Sequence, residues 1–212
     1  MDAAKHSALI HSWTELLTPF GAPRDAILAA FDDLRASYTG PERHYHTLDH
    51  IHAMLNIVRT LAGNDETPAL TLAVWFHDVI YDTRAKDNEE KSAALARRVL
   101  QSLEVSEQII RETERLILLT KTHATATEDR PGQIMIDADL AILGTSESEY
   151  DAYARAIRTE YAWVQEETYR TGRRAVLGTF LRRPRIYSTD ELFAQREESA
   201  RRNLRREIES LV

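Results

Sequence analysis

His77 and Asp78 stand side by side in an almost wholly apolar stretch, Leu72 to Asp82 (LAVWFHDVIYD). An imidazole and a carboxylate leaving a core helix together must be paired or bound to a metal, because a buried ionisable group is otherwise costly. Two other stretches offer partners. Tyr45 to His50 (YHTLDH) sets His46 and His50 four residues apart, which on a helix puts both rings on one face. Met135 to Leu140 (MIDADL) holds Asp137 and Asp139 in a second apolar run. Imidazoles with carboxylates suit a divalent transition metal better than calcium, which prefers oxygen alone. Octahedral manganese or iron is the first expectation, with magnesium, cobalt, nickel and zinc left open. Such a metal acidifies bound water and polarises a phosphoryl oxygen, which together are the needs of phosphoester hydrolysis. In that chemistry Asp78 can bind metal and orient the water, and His46 can protonate the leaving oxygen if it lies within hydrogen-bond reach.

These elements, in this order, resemble the HD-domain metal-dependent phosphohydrolases, whose motif is a helix histidine, a His-Asp doublet and a later Asp. The resemblance implies His50, His77, Asp78 and Asp139 as metal ligands, the last through Ala138-Asp139-Leu140. The Tyr-His-x-x-x-His form is similar to the cyclic-nucleotide phosphodiesterase branch, which implies His46 as proton donor. Across the whole chain the likeness is to a bacterial group of predicted HD phosphohydrolases, carried by RHYHTLDHI, WFHDVIYD, DNEEKSA, DADLAILG and the tail from Tyr169 to Leu211. His-Asp-Val-Ile-Tyr-Asp also resembles the doublet of guanosine tetraphosphate hydrolases. There a Glu-Asp pair follows, whereas Tyr81 stands in place of the glutamate here. Asp82 is then a candidate acid or water-positioning group, against the plainer reading of a surface aspartate at a helix end.

Further residues have a functional and a structural reading. His123 follows an apolar helix, where some HD proteins place an extra histidine, and a plain loop histidine is the equal alternative. From Arg170 to Arg185 there are six arginines and no acidic residue. Guanidinium forks match phosphate oxygens, so Arg173 and Arg185 are candidate substrate contacts. For most of the six, neutralisation by Glu166, Glu167 and the glutamates of the last helix is the stronger reading. Asp137 fits a helix cap or a partner behind the ligands, and His44 and His52 are expected at the periphery. Asp87 or Asn88 reads as the N-cap of a solvated first turn, with Asn88 or Glu89 at the mouth of the site as the lesser alternative.

The elements that must position these groups are helical. Spacings of three and four recur and strand-like alternation is rare. Helices are expected over 5–18, 23–37, 46–62, 68–81, 86–103, 106–121, 135–143, 146–166, 168–182 and 189–211. Thr67-Pro68 and Ser106 read as helix starts, and Gly144 as a stop. Loops are expected at 38–42, 122–132 and 182–188. The 212 residues, 43% hydrophobic, suffice for one all-α, HD-domain-like helical bundle. Its core would span about 23–145, and a C-terminal helical extension about 146–212.

With no cysteine, a metal site must use imidazole and carboxylate. A net charge of −7 argues against a nucleic-acid partner. No apolar run reaches the ~18 residues of a membrane span, and the amphipathic start lacks the features of a secretory signal. A cytoplasmic protein is expected. The last helix carries a sparse apolar stripe that packs on the domain and could join a homodimer contact. The expected activity is hydrolysis of a phosphomonoester in a small phosphorylated metabolite, foremost a nucleotide. The alternatives are nucleotide pyrophosphohydrolysis and a non-catalytic, metal-containing nucleotide sensor.

Overall fold

The computed structural model describes residues 3–211, so Met1, Asp2 and Val212, the ends of the two terminal amphipathic stretches, lie outside the description. Among the described residues there is no strand, and the fold is all-α. The described residues form ten α-helices, α1 Ala3–Leu17, α2 Arg24–Tyr38, α3 Leu48–Ala62, α4 Pro68–Phe76, α5 Asn88–Ser102, α6 Glu107–Leu119, α7 Arg130–Leu140, α8 Glu147–Glu160, α9 Glu166–Leu181 and α10 Asp190–Ser210. None of the described helices is long and apolar enough to cross a membrane. The chain divides into two compact units, Met1–Thr125 and Ala126–Val212. The division falls ahead of α7, so the helix carrying Asp139 belongs to the second unit.

In the first unit α4 packs on α3, α5 and α6, and α1 packs on α2. Every α4 residue from Ala69 to Phe76 is buried, as expected for a helix apolar on all faces. Thr67 caps it by accepting from the Leu70 N–H, with Pro68 in the first turn where no donor is needed. Trp75 meets Trp13 edge-on at 5.4 Å and Phe31 at 6.1 Å between ring centroids. Trp13 Nε1 donates to the Ile27 carbonyl at 2.8 Å, which ties α1 to α2. Arg97 of α5 pairs with Glu107 and Glu114 of α6.

In the second unit α10 packs on α9 and on the 3-10 turn Ala141–Gly144 that follows α7. A reciprocal Ser146–Glu149 capping box starts α8. Gly144 is not a left-handed stop. A Cβ there would lie 2.5 Å from Arg196 Cβ and 2.7 Å from the Arg196 carbonyl oxygen, so the glycine admits α10 at close range. Arg196 Nη1 donates to the Ala141 carbonyl at 2.8 Å, and Asn203 Nδ2 donates to those of Leu143 and Thr145, each at 3.0 Å.

Of the helix boundaries that differ from the expected ones, four have a visible reason. α3 begins at Leu48 because Thr47 accepts from the Asp49 N–H as its cap, so His46 stands outside the helix. α4 stops at Phe76, and the doublet follows its end. α7 starts at Arg130, inside the expected loop, because Asp129 accepts from the Gly132 N–H and Pro131 fills the first turn. α8 ends at Glu160, ahead of a turn through residues 161–164.

Candidate metal centre

His50 and His77 reach each other from adjacent elements of the first unit. His50 sits in the first turn of α3, 5% exposed, and His77 is the C-cap residue of α4, 1% exposed. Their Nε2 atoms are 3.2 Å apart. The other ring nitrogen of His77, Nδ1, lies 2.9 Å from the Val74 carbonyl oxygen. A carbonyl can only accept, so Nδ1 carries the proton, and a neutral ring then holds its lone pair on Nε2.

Asp78 brings a carboxylate to the same point. Its Oδ2 lies 2.9 Å from His77 Nε2 and 3.9 Å from both His50 Nε2 and His46 Nε2. The structure thus joins four sequence-predicted residues of the first unit, His46, His50, His77 and Asp78. His46 arrives without the helical spacing expected for it. It occupies the apex of a tight turn in which the Thr47 N–H donates to the Tyr45 carbonyl at 2.7 Å. Its ring stacks on Tyr81 with centroids 4.1 Å apart.

The donor set suits a cation. Two imidazole nitrogens ~2.1 Å from one metal stand ~3.0 Å apart at an octahedral right angle and ~3.4 Å apart at a tetrahedral one. The observed 3.2 Å lies between. His50 and His77 could therefore hold a metal ion.

The chain after the doublet is fixed from outside. Ser92 of α5 accepts from the Ile80 N–H at 3.1 Å and donates back to the Ile80 carbonyl. Asn88 accepts from the Asp82 N–H at 3.1 Å and donates to the Asp82 carbonyl at 2.9 Å. Asn88 and Ser92 thus clamp the loop through both its N–H and carbonyl groups, and Asp87 occupies the N-cap without a side-chain capping bond, its carboxylate pairing with Lys91 at 2.8 Å instead.

Arg43 is a residue that sequence reasoning missed. Its Nη1 donates to the His46 carbonyl and its Nη2 to the Val79 carbonyl, both at 3.0 Å. Its guanidinium lies over the Tyr38 ring at 4.9 Å and the Tyr81 ring at 5.4 Å. Only its place in the RHYH stretch could have pointed to it.

The remaining candidates are placed as follows. Asp82 is exposed, and its Oδ1 accepts from the Arg84 N–H at 2.9 Å. His123 follows α6 with a left-handed backbone, φ 48°, its N–H bonded to the Leu119 carbonyl. His44 is exposed, and His52 contacts Asn56 along α3. In the second unit Asp139 is half-buried on α7. Asp137 is fully buried and accepts from the N–H groups of Ser188 and Thr189 at 2.8 and 2.7 Å. Burial raises its pKa above the ordinary aspartate value, against the lowering effect of those bonds.

Neither named arginine stands as a ready phosphate fork. Arg173 is buried against Glu207, with Nε and Nη2 donating at 2.8 and 3.1 Å. Burial disfavours its charge, but Tyr153 and the bonded Glu207 outweigh that and hold its pKa above the usual arginine value. Arg185 donates to the Tyr187 and Thr189 carbonyls and to Asp190, and lies 4.0 Å over the Phe193 ring. Arg170 pairs with Glu166.

No family model, curated protein or solved structure matches this chain.

Proposed function

We propose that the chain is a divalent-metal-dependent phosphohydrolase of the HD type, acting on a small phosphorylated metabolite, foremost a nucleotide. The observation that carries the reading is the meeting of His50 Nε2, His77 Nε2 and Asp78 Oδ2, with His46 3.9 Å from that oxygen. Lone pairs gathered this closely favour a cation among them. His50, His77 and Asp78 are the proposed ligands of the first unit, and Asp139 the proposed further ligand, on its place in the sequence motif.

A divalent cation held by these residues would supply an acidified water and a polarised phosphoryl oxygen. The chain's own groups carry the rest. Asp78 accepts a hydrogen bond from the attacking water, aims its oxygen at phosphorus and passes the proton that the water loses to solvent. As the new P–O bond forms and the ester P–O bond breaks, protonated His46 gives its proton to the leaving oxygen. The buried His77, fixed through Nδ1 by Val74, keeps its Nε2 aimed at the centre.

The test is product release from nucleoside mono-, di- and triphosphates and dinucleotide polyphosphates, with manganese, iron(II), cobalt or magnesium, run beside Asp78→Ala. Turnover by the wild type that falls to the no-enzyme level in the variant is expected. Phosphate rather than pyrophosphate among the products marks the phosphomonoesterase. Metal-loaded wild type that turns over none of the panel overturns the reading.

A further inference from the structure

We infer that Arg43 is a positioning residue of this centre, one guanidinium that locks the turn carrying His46 to the segment leaving the His77–Asp78 doublet. The inference takes its purpose from the hydrolase reading and its geometry from the first unit alone.

The two locked segments lie outside helices. His46 precedes the cap of α3, and Val79 follows the end of α4. No helical hydrogen bond sets His46, and Val79 keeps one turn bond, from its N–H to the Phe76 carbonyl at 3.2 Å. Arg43 spans them, bonding the carbonyl of His46 on one arm and that of Val79 on the other. A planar fork can make two such bonds in fixed directions while stacking on aromatic faces, and a lysine ammonium cannot.

The stack completes the lock. Tyr38, on one side of the guanidinium, is fully buried and donates to the Trp75 carbonyl at 2.9 Å, so it is tied to the end of α4. Tyr81, the other ring under the guanidinium, lies against the His46 ring. Arg43 thus holds His46 through its backbone and, by way of Tyr81, through its ring. Both restraints act on the imidazole that stands 3.9 Å from Asp78. Proton transfer is sensitive to such placement, because a misplacement of ~1 Å can cost ~100-fold in rate.

The experiment uses the metal-free 212-residue chain with isotope-labelled histidines, comparing wild type with Arg43→Ala and Arg43→Lys by NMR. Loss of the lock is expected to move the His46 ring signals, which lie under the Tyr81 ring, more than those of His6 or His11. Arg43→Lys is expected to move them too, since an ammonium lacks the planar fork that spaces the two bonds and stacks on the tyrosines, and it decides the matter if Arg43→Ala does not fold. With p-nitrophenyl phosphate and manganese, kcat is expected to fall about 10- to 100-fold with KM unchanged. His46 signals left in place in a folded Arg43 variant, with only a lower melting temperature, would overturn the inference. Wild type without turnover whose His46 signals still depend on Arg43 would sink the hydrolase reading and leave the positioning role standing.

Discussion

Each unit buries a cluster of ionisable side chains, and the two clusters are built on opposite plans. In the second unit Arg173 meets Glu207 with Tyr150 and Tyr153 beside them, so a cation is answered by an anion and by hydroxyl groups. In the first, the close contacts of His77 Nε2 include another imidazole nitrogen and a carboxylate oxygen. A balanced pair fixes helices α9 and α10 to each other, whereas a gathering of lone pairs attracts a proton or a metal. Burial alone does not separate the two. The chemical kind of the nearest atoms does.

The sharpest way to break this contrast is Arg173→Met. It leaves Glu207 buried without its partner, and a loss of about 3–5 kcal/mol is expected by denaturant unfolding. Manganese uptake by the folded variant should match the wild type. A loss of uptake at full occupancy of the folded state would show that the buried pair serves the metal centre as well.

Asp137 should matter less, because it satisfies backbone donors rather than a charge. Asp137→Ala leaves the Ser188 and Thr189 N–H groups without their carboxylate, at a cost of about 1–3 kcal/mol. Its pH dependence has a definite sign. A carboxyl whose folded pKa is raised contributes stability that is fully present below its unfolded pKa and declines as pH rises through the folded value. Thermal melts from acid to neutral pH should show that decline in the wild type and lose it in the variant. The opposite slope would mean that the two N–H bonds outweigh burial.

The smallest effect belongs to the solvent-exposed Arg202–Glu198 pair along α10. Arg202→Ala should change stability by less than about 0.5 kcal/mol and respond to added salt. A larger change would show that pairing itself, and not burial, sets the energetics of the second unit.

Periodicity made the ten helices readable, and the apolar run of α4 made its burial readable too. The ends that matter for chemistry were harder. Val79 and Ile80 continue the apolar pattern past Phe76, but their backbone is held by Arg43 and Ser92, 36 and 12 residues away, and that of Asp82 by Asn88, contacts that helical periodicity does not register. Thr47 carried a local signal for the start of α3 that the His46–His50 spacing obscured. The ring nitrogens and the carboxylate were legible as types and order, because few side chains can sit as neighbours at the end of an apolar helix. Neutralisation of the arginines by glutamates of the last helix was legible as the stronger reading for most of them, but the pairing of Arg173 with Glu207 in particular was not, since it is set by the packing of α10 against α9.

Gly144 and Asn203 also determine how α10 can change length. Arg196 seats against the bare face of Gly144, and Asn203, two turns further along the helix, grips the carbonyls on either side of it. Two keys in one slot tolerate replacement on the outer face of the helix but not a change in their spacing. A single-residue deletion between them would rotate Asn203 by about 100° away from its acceptors, so this segment can diversify by substitution while insertions and deletions are confined to the helix beyond it.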